Sequence, residues 1–359
     1  MRPEIDKIAE LTLSDTPLAD LTTLHLGGRP VLTAHCQSQA AATQLVTLLD
    51  AHSIPLLIVG GGSNLVVADG DLDLVAVVLE FDDISVNPST GVIRAEAGAI
   101  WDDVVSVAVD AGLGGIECLS GIPGSAGAVP VQNVGAYGAE ISQVLTQVCL
   151  LDRATGTVEW CPASSLELSY RYSNLKFTGR AVVLGIELQL NPDGLSAPLR
   201  FGELARVLGA TEAGERKPVA QVREAVLNLR RGKGMVVDPA DHDTWSAGSF
   251  FTNPTVDNRV ADYVRRVTGE TDMPCYPVAG TEESKLSAAW LIERAGFPKG
   301  FPGGDARASL STKHTLALTN RGSASTEDLV ALARTIRDGV DEKFGVQLVP
   351  EPVWVCVEL

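Results

Sequence analysis

A chain of 359 residues is longer than one typical hydrophobic core supports, and its length predicts two or three domains. Its 45% hydrophobic and 20% charged residues are ordinary for a soluble globular protein. A net charge of −17 argues against a nucleic acid as the main partner, because binding a polyanion requires a basic face.

The N-terminal sequence contains acidic residues early and has no apolar segment of signal-peptide length. No run reaches the roughly 18 apolar residues that a membrane helix needs. The six cysteines are scattered, without the spacing of a metal site or of a dense disulfide framework. We therefore expect a cytoplasmic protein with reduced thiols, no metal and no membrane insertion.

The first third of the chain predicts alternating helices and strands. Helical spacing of apolar residues predicts a helix over Gln37–Ala51, and the apolar run Pro55–Gly61 predicts a buried strand. A further strand is predicted over Leu74–Phe81, a hairpin over Ile84–Gly98 and an amphipathic helix over Trp101–Gly112.

The middle of the chain predicts a strand-rich region and then an insertion. Three apolar segments, 144–152, 156–162 and 181–190, have the pattern of strands. Residues 191–231 differ in character, because turn signals enclose a helical segment at 217–231. We interpret 191–231 as an insertion or lid.

The C-terminal third predicts short strands, a helix over Leu286–Ala295, a long last helix and a final strand over Val346–Leu359. Ser325 is suited to cap the long helix, with Asp328 three residues later. Gly345 follows the last apolar position, where a left-handed residue commonly ends a helix.

Two glycine-rich stretches suggest a binding site. Gly60-Gly61-Gly62-Ser63-Asn64 follows the apolar strand, and Cys118–Gly138 has five glycines separated mainly by small residues. Glycine lets the backbone approach a ligand closely, and consecutive N–H groups in such turns bind anions. We expect the two stretches to bind one phosphate-bearing dinucleotide; the alternative is an ordinary surface loop.

Three side chains are candidates for chemistry. Ser249 lies between a glycine and two phenylalanines that can desolvate its hydroxyl, although a structural serine in a turn is the alternative. Arg171, between two tyrosines, is suited to bind a carboxylate, or is a surface arginine stacked on tyrosine. Glu351, between two prolines, is either a buried carboxyl group that needs a partner or an edge-strand residue facing water.

Taken together, these segments resemble the UDP-N-acetylenolpyruvoylglucosamine reductase family of flavoenzymes. The matching motifs occur in the family's order and span nearly the whole chain. They are IVGGGSNL (58–65), SGIPGSAGAVPVQNVGAYG (120–138), SYRYS (169–173), SAGSFFTNP (246–254), KLSAAWLIERAG (285–296) and VPEPVW (349–354).

The resemblance implies an α+β fold, with a two-part FAD-binding domain of the vanillyl-alcohol-oxidase (PCMH) type and a separate α+β substrate-binding domain. Residues 1–70, joined by 340–359, would form the first FAD-binding part. Residues 71–237 would form the second part, and 238–339 the substrate-binding domain. The insertion at 191–231 resembles the substrate-covering loop of the family's longer (type I) subgroup.

The resemblance also implies an activity: the NADPH-dependent reduction of UDP-N-acetylglucosamine enolpyruvate to UDP-N-acetylmuramate, by way of non-covalent FAD, in a monomer. Ser249 would donate a proton, while Arg171 and Glu351 would stabilise negative charge on the substrate. The implied cofactor-binding residues are Gly60, Gly61, Gly62, Ser63, Asn64, Gly121, Gly124, Ser125 and Gly127. The implied substrate-binding residues are Tyr137, Tyr170, Phe201, Lys233 and Asn253.

The sequence departs from the family pattern at two places. Ala128-Val129 replaces the usual Gly-Ala in the second glycine-rich stretch, which is a mild change. Phe201 stands where the longer subgroup is expected to have a tyrosine that reaches the substrate diphosphate. Phenylalanine can cover a nucleotide but cannot donate that hydrogen bond.

Two other functions are compatible with the same cofactor loops. The first is an oxidase or lactone dehydrogenase on the same fold, whose flavin would be reoxidised by oxygen or a quinone. The second is a non-catalytic protein that binds a nucleotide sugar and would purify without flavin absorbance. The presence of Ser249, Arg171 and Glu351 together favours the reductase.

Overall fold

The computed structural model describes residues 2–200, 202–270 and 272–359. The strands are β1 (Leu11–Ser14), β2 (Arg29–Cys36), β3 (Leu56–Val59), β4 (Leu65–Val67), β5 (Asp71–Leu79), β6 (Ile84–Asn87), β7 (Val92–Glu96), β8 (Gly135–Ala136), β9 (Ala139–Glu140), β10 (Leu145–Asp152), β11 (Val158–Pro162), β12 (Ala181–Gln189), β13 (Thr255–Asp257), β14 (Cys275–Pro277), β15 (Glu283–Leu286), β16 (Ala308–Leu310), β17 (Leu318–Asn320) and β18 (Val353–Val355). The α-helices are α1 (Arg2–Ile5), α2 (Gln39–Ala51), α3 (Trp101–Asp110), α4 (Gly202–Val207), α5 (Val219–Gly232), α6 (Asn258–Thr268), α7 (Ala288–Ala295) and α8 (Thr326–Phe344).

The chain divides into two compact units. The first unit contains the residues up to Pro17 together with Arg29–Gly62 and Asp71–Val236, and the second contains Leu18–Gly28, Ser63–Gly70 and Val237–Leu359. The longest segment of the second unit therefore begins at Val237, one residue before the predicted substrate-binding segment 238–339. It also includes 18–28, 63–70 and 340–359, which the sequence analysis assigned to the FAD-binding domain.

A four-stranded sheet forms one layer of the first unit, in the order β1-β2-β5-β3. Both β2 and β3 pair with β5 in parallel, so their carboxyl ends lie at the same edge of the sheet. Helix α2 packs its apolar side into the adjoining core, where Ala42, Leu45 and Leu49 are fully buried. Gly60 directly follows β3 at the carboxyl edge, the usual location of ligand sites in parallel sheets.

The second layer of the first unit is a five-stranded antiparallel sheet in the order β11-β10-β12-β7-β6. The predicted hairpin at 84–98 forms as the antiparallel pair β6–β7. The fully buried Trp101 lies in the adjoining core, and its indole N–H donates to the carbonyl of Leu119. This bond ties α3 to the beginning of the second glycine-rich stretch.

The second unit contains a three-stranded antiparallel sheet, β13-β15-β14, the antiparallel pair β16–β17 and the parallel pair β18–β4. One face of α8, including Leu329, Ile336 and Phe344, is fully buried in its core. Phe250 and Phe251 are buried in the same core. The residues that follow Ser249 therefore anchor its loop.

Strand β18 is much shorter than the predicted final strand. The sequence predicts a strand over Val346–Leu359, whereas only Val353–Val355 pairs as a strand, in parallel with β4. Proline has no backbone N–H to donate to a sheet, and Pro350 and Pro352 precede the paired residues. Glu351, between these prolines, therefore lies in an irregular segment.

Helix α8 begins and ends as predicted. Ser325 Oγ accepts the N–H of Asp328, and the Asp328 carboxylate accepts the N–H of Ser325, which completes a capping box. Gly345 ends the helix with a φ of +63°. Among the helices of the described residues, none is long and apolar enough to cross a bilayer.

Replacing the cap of α8 should destabilise the second unit. We expect Ser325→Ala to lower the free energy of unfolding by about 1 kcal/mol, because one helical N–H loses its acceptor. Urea unfolding followed by circular dichroism measures this change. The control is Ser323→Ala, an exposed serine just before the helix; equal losses in the two variants would contradict the role of the cap.

Candidate active site

The first glycine-rich stretch exposes bare backbone at the carboxyl end of β3. Among the described residues, the N–H groups of Gly60, Gly61 and Gly62 donate no hydrogen bond. Gly62 has a φ of +57°, a backbone conformation that residues other than glycine rarely adopt. Successive free N–H groups of this kind are suited to bind the oxygen atoms of a diphosphate.

The second glycine-rich stretch lies directly against the first. A Cβ atom added to Gly61 would lie 2.5 Å from the Cα of Gly124, and one added to Gly60 would lie 2.3 Å from the Oγ of Ser125. Real Cβ atoms do not approach other atoms this closely, so Gly61, which faces backbone, requires glycine, whereas a side chain at Gly60 would require the Ser125 hydroxyl to move. The two stretches, separated by about sixty residues in sequence, thus meet in one place as the sequence analysis expected.

The remaining glycines of the second stretch position it within the first unit. A Cβ on Gly127 would lie 2.7 Å from that of Ala97, and the Gly127 N–H donates to the Ala97 carbonyl. Gly121, with a φ of +69°, donates its N–H to the Asp102 carboxylate at 2.6 Å. Gly121 and Gly127 thus hold the second glycine-rich stretch against Asp102 and Ala97. The N–H groups of Gly60–Gly62, in contrast, are available to bind a ligand.

The two loops fit FAD, the cofactor that the resemblance implies. A dinucleotide diphosphate needs several convergent N–H donors and room for close approach, and the adjoining loops of the first unit offer both. Ser63 and Asn64 continue the first loop into the second unit, where the Asn64 carbonyl accepts the N–H of Val353.

Arg171 is held in an unusual backbone conformation in the first unit. Its φ is +54°, and its Nη2 donates to the Gly135 carbonyl at 2.8 Å. Its guanidinium lies 5.2 Å from the ring centroid of Tyr170. The buried Asn133 donates to the Ser169 carbonyl at 2.9 Å, which ties the loop before Arg171 to the end of the second glycine-rich stretch. The predicted cation is therefore fixed in direction.

Tyr137, Lys233 and Glu203 form a polar cluster in the first unit. Lys233 directly follows α5, and its Nζ lies 2.5 Å from Oε2 of Glu203 and 5.8 Å from the Tyr137 ring centroid. Burial raises the pKa of the Tyr137 phenol, so this group stays protonated at neutral pH. Glu203 belongs to α4, within the insertion at 191–231, and the structure thus connects the insertion to two predicted substrate-binding residues.

The backbone segments that carry Ser249 and Glu351 are hydrogen-bonded in the second unit, although about a hundred residues separate them. The Glu351 N–H donates to the carbonyl of Phe250, the residue after Ser249, at 2.9 Å. The Phe250 N–H in turn donates to the Leu316 carbonyl, and Gly248, with a φ of +75°, donates to Ser246 Oγ. The backbone around the serine is therefore tightly held.

Of the predicted substrate-binding residues Asn253 and Phe201, only Asn253 lies within the described residues. The side-chain carbonyl of Asn253 accepts the N–H of Ala288 at 3.0 Å and so satisfies the first turn of α7. Its amide nitrogen is the group that could serve a substrate. Phe201, predicted to cover the substrate, lies outside the described residues.

Two charged residues near these groups were missed by sequence reasoning. Glu203 pairs with Lys233, and Arg230 lies beside the second glycine-rich stretch with a buried Nε that has no acceptor among the described residues. The sequence shows Arg230 only as one of two adjacent arginines at the end of a helix, and no local signal separates it from Arg231.

Comparison with known protein families identifies both parts of the chain. Residues 30–162 match the family described as "FAD binding domain". Residues 238–355 match the family described as "UDP-N-acetylenolpyruvoylglucosamine reductase, C-terminal domain".

Similar proteins extend these matches over the full length. A UDP-N-acetylenolpyruvoylglucosamine reductase of Corynebacterium diphtheriae is 67% identical over 359 residues, which is 100% of this chain and 94% of the relative. The enzyme of that name from Mycolicibacterium smegmatis is 53% identical over 351 residues, with 95% of each chain covered.

The crystal structure of UDP-N-acetylenolpyruvylglucosamine reductase from Thermus caldophilus shares the fold, with a TM-score of 0.63 and 22% identity over 96% of this chain and 99% of that one. The predicted fold class, an FAD-binding domain with a separate α+β domain, is confirmed. The chain belongs to the UDP-N-acetylenolpyruvoylglucosamine reductase family.

Proposed function

We propose that this chain catalyses the NADPH-dependent reduction of UDP-N-acetylglucosamine enolpyruvate to UDP-N-acetylmuramate (EC 1.3.1.98) in peptidoglycan precursor synthesis. The observation that carries this function is the 67% identity to a curated reductase across the whole chain. The adjoining backbone loops of the first unit supply the donors that the cofactor of such an enzyme requires.

FAD, when bound, supplies the hydride carrier between NADPH and the vinyl carbon of the substrate. The chain's own contribution there is the row of N–H groups at Gly60, Gly61 and Gly62, together with the backbone of Gly124 and Ser125. Because these donors are fixed before binding, little reorganisation is needed to receive the diphosphate.

Arg171, Glu351 and Ser249 are assigned to the substrate's enolpyruvyl group. Addition of hydride to the terminal carbon leaves negative charge beside the carboxylate, where it spreads over the carboxylate oxygens. The Arg171 guanidinium and the Glu351 carboxyl group, in its protonated form, stabilise that charge, and such fixed stabilisation is commonly the largest catalytic contribution. The Ser249 hydroxyl then donates its proton to the adjacent carbon, which completes the reduction.

The substrate diphosphate is assigned to the polar cluster of the first unit. Lys233 supplies a positive charge, and Tyr137 supplies a phenol that burial keeps protonated. Tyr170, whose side chain is 46% exposed, offers an aromatic face beside Arg171. The amide of Asn253 and the aromatic ring of Phe201 complete the proposed set.

Several finer features belong to the same proposal. The insertion at 191–231 is that of the longer (type I) subgroup, and the enzyme works as a monomer in the cytoplasm. Residues 1–70 with 340–359, and 71–237, are the two parts of the FAD-binding domain, while 238–339 bind the substrate. The link between Glu203 of the insertion and Lys233 supports a role of this segment at the substrate.

The purified protein tests this function directly. We expect a flavin absorption spectrum that bleaches on anaerobic addition of NADPH and recovers on addition of UDP-N-acetylglucosamine enolpyruvate. Rapid recovery in air without response to that substrate would favour an oxidase. A colourless protein would favour a nucleotide-sugar binding protein.

Removing the proposed proton donor should separate the two half-reactions. We expect Ser249→Ala to leave the reduction of flavin by NADPH nearly intact and to slow its reoxidation by the enolpyruvate substrate by roughly a hundredfold or more. Anaerobic stopped-flow absorbance measures both rates on one protein, so the first half-reaction is the internal control. Unchanged rates in both would refute the role of Ser249.

Glu203 should compete with the substrate for Lys233. We expect Glu203→Gln to lower the substrate KM by about two- to fivefold, because a partly exposed ion pair costs at most about 1 kcal/mol to break. Steady-state kinetics at fixed NADPH measures the effect. Glu224→Gln, which removes an equal charge from an exposed position on α5, is the control. A higher KM in Glu203→Gln alone would show that the carboxylate supports binding.

A further inference from the structure

Arg171 lies in a tight turn of the first unit. The N–H of Ser169 donates to the carbonyl of Tyr172, and the N–H of Tyr172 donates to the carbonyl of Ser169, each at 3.1 Å. Arg171 is the third residue of this four-residue turn and has a φ of +54°. Turns with a positive φ at that position usually have glycine or asparagine there. The turn alone therefore does not favour arginine in this conformation, and contacts outside the turn must hold the residue.

Ser173 connects one end of this turn to the second glycine-rich stretch. The residue is fully buried, and its Oγ donates to the Val131 carbonyl at 2.5 Å. The same Oγ accepts the N–H of Leu175 at 3.2 Å, so the hydroxyl acts both as a donor and as an acceptor. A buried hydroxyl with both of these partners is fixed in direction, and alanine at this position would remove both bonds.

The same stretch also binds the other end of the turn and the guanidinium itself. The side-chain amide of Asn133 donates to the Ser169 carbonyl at 2.9 Å, and Nη2 of Arg171 donates to the Gly135 carbonyl at 2.8 Å. Val131, Asn133 and Gly135 are alternate residues of the stretch, and each is bonded to a different part of the turn. These three bonds to one short segment fix both the turn and the direction of the guanidinium.

We infer that Ser173 is a positioning residue for Arg171. This inference rests on the proposed function, which assigns the guanidinium to the negative charge that develops on the substrate. Loss of the bond from Ser173 to Val131 releases the end of the turn that follows Arg171, and the arginine can then relax from its left-handed conformation. A displacement of about 1 Å is enough to slow a reaction by about 100-fold when the displaced group acts on the reacting atoms.

The alternative is a purely structural role, in which Ser173 stabilises the first unit and has no effect on Arg171. Both roles predict a lower Tm for Ser173→Ala, because a buried hydrogen bond is lost in either case. The two roles differ in a protein that lacks the guanidinium. A positioning residue then has nothing to position and its loss costs no further rate, whereas two independent effects on the rate multiply.

The experiment compares the flavin-loaded full chain with Ser173→Ala, Arg171→Met, the two substitutions combined, and the control Thr178→Val. Thr178 belongs to the same loop, and its exposed hydroxyl donates to the carbonyls of Asn174 and Leu175. Anaerobic stopped-flow absorbance gives the rate of flavin reduction by NADPH and the rate of reoxidation by UDP-N-acetylglucosamine enolpyruvate. Thermal unfolding gives the Tm of each variant and shows that it is folded.

We expect Ser173→Ala to slow reoxidation by about 10- to 100-fold and to leave reduction by NADPH within about twofold of the parent. In the Arg171→Met background, the same substitution should change the rate of reoxidation by less than about twofold. Thr178→Val should stay within about twofold of the parent in both half-reactions. A combined loss equal to that of Arg171→Met alone assigns the effect of Ser173 to the arginine.

Two results would overturn the inference. One is a reoxidation rate within about twofold of the parent in a folded Ser173→Ala protein; the other is an equal loss of rate with and without the Arg171 guanidinium. If Ser173→Ala does not fold, the same criteria apply to Ser173→Cys, whose thiol is similar in size and is a weaker donor. A parent protein whose reduced flavin is not reoxidised by this substrate would instead refute the proposed function, whatever the variants show.

Discussion

The contact between two bare stretches of main chain determines the rest of this structure. Gly61 meets Gly124 and Gly60 meets Ser125 so closely that a single added methyl group would overlap backbone or side-chain atoms. Each stretch is held in place by neighbouring backbone. The first follows β3, which pairs in parallel with β5, and the second donates the Gly127 N–H to the Ala97 carbonyl. The free N–H groups of the first loop therefore occupy fixed positions. The proposed cofactor site depends on the packing of these loops and uses no lysine-containing phosphate motif.

Charge is distributed unevenly around these loops. The chain has a net charge of −17, yet Arg171, Arg230 and Lys233 all lie close to the second glycine-rich stretch or to the residues it contacts. Local cations can hold an anionic ligand although the net charge of the chain is negative. Ions in the solvent screen charges that lie farther away than the Debye length, which is about 10 Å at 0.1 M salt. A negative net charge favours solubility, while these three cations provide the local positive charge that the proposed anionic ligands require.

Local patterns predicted several elements correctly but missed α6 and the short length of β18, and they predicted the charged contacts poorly. The capping box of Ser325 and Asp328 and the hairpin β6–β7 depend on residues close in sequence, and both formed as predicted. The meeting of the glycine stretches was expected from their shared composition. In contrast, the bond between the Glu351 N–H and the Phe250 carbonyl depends on the second unit as a whole. The pairing of Glu203 with Lys233 depends on how α4 and α5 pack. So does the burial of the Nε of Arg230, since two adjacent arginines look alike in a sequence.

The left-handed backbone of Arg171 has a consequence for how this protein can change. At a φ of +54°, a residue with a side chain has a higher conformational free energy than glycine, by about 1 kcal/mol. Selection for thermal resistance alone would therefore favour loss of the guanidinium at this position. The proposed function assigns this guanidinium to the substrate's carboxylate, so stabilised descendants of this chain should be checked first at residue 171.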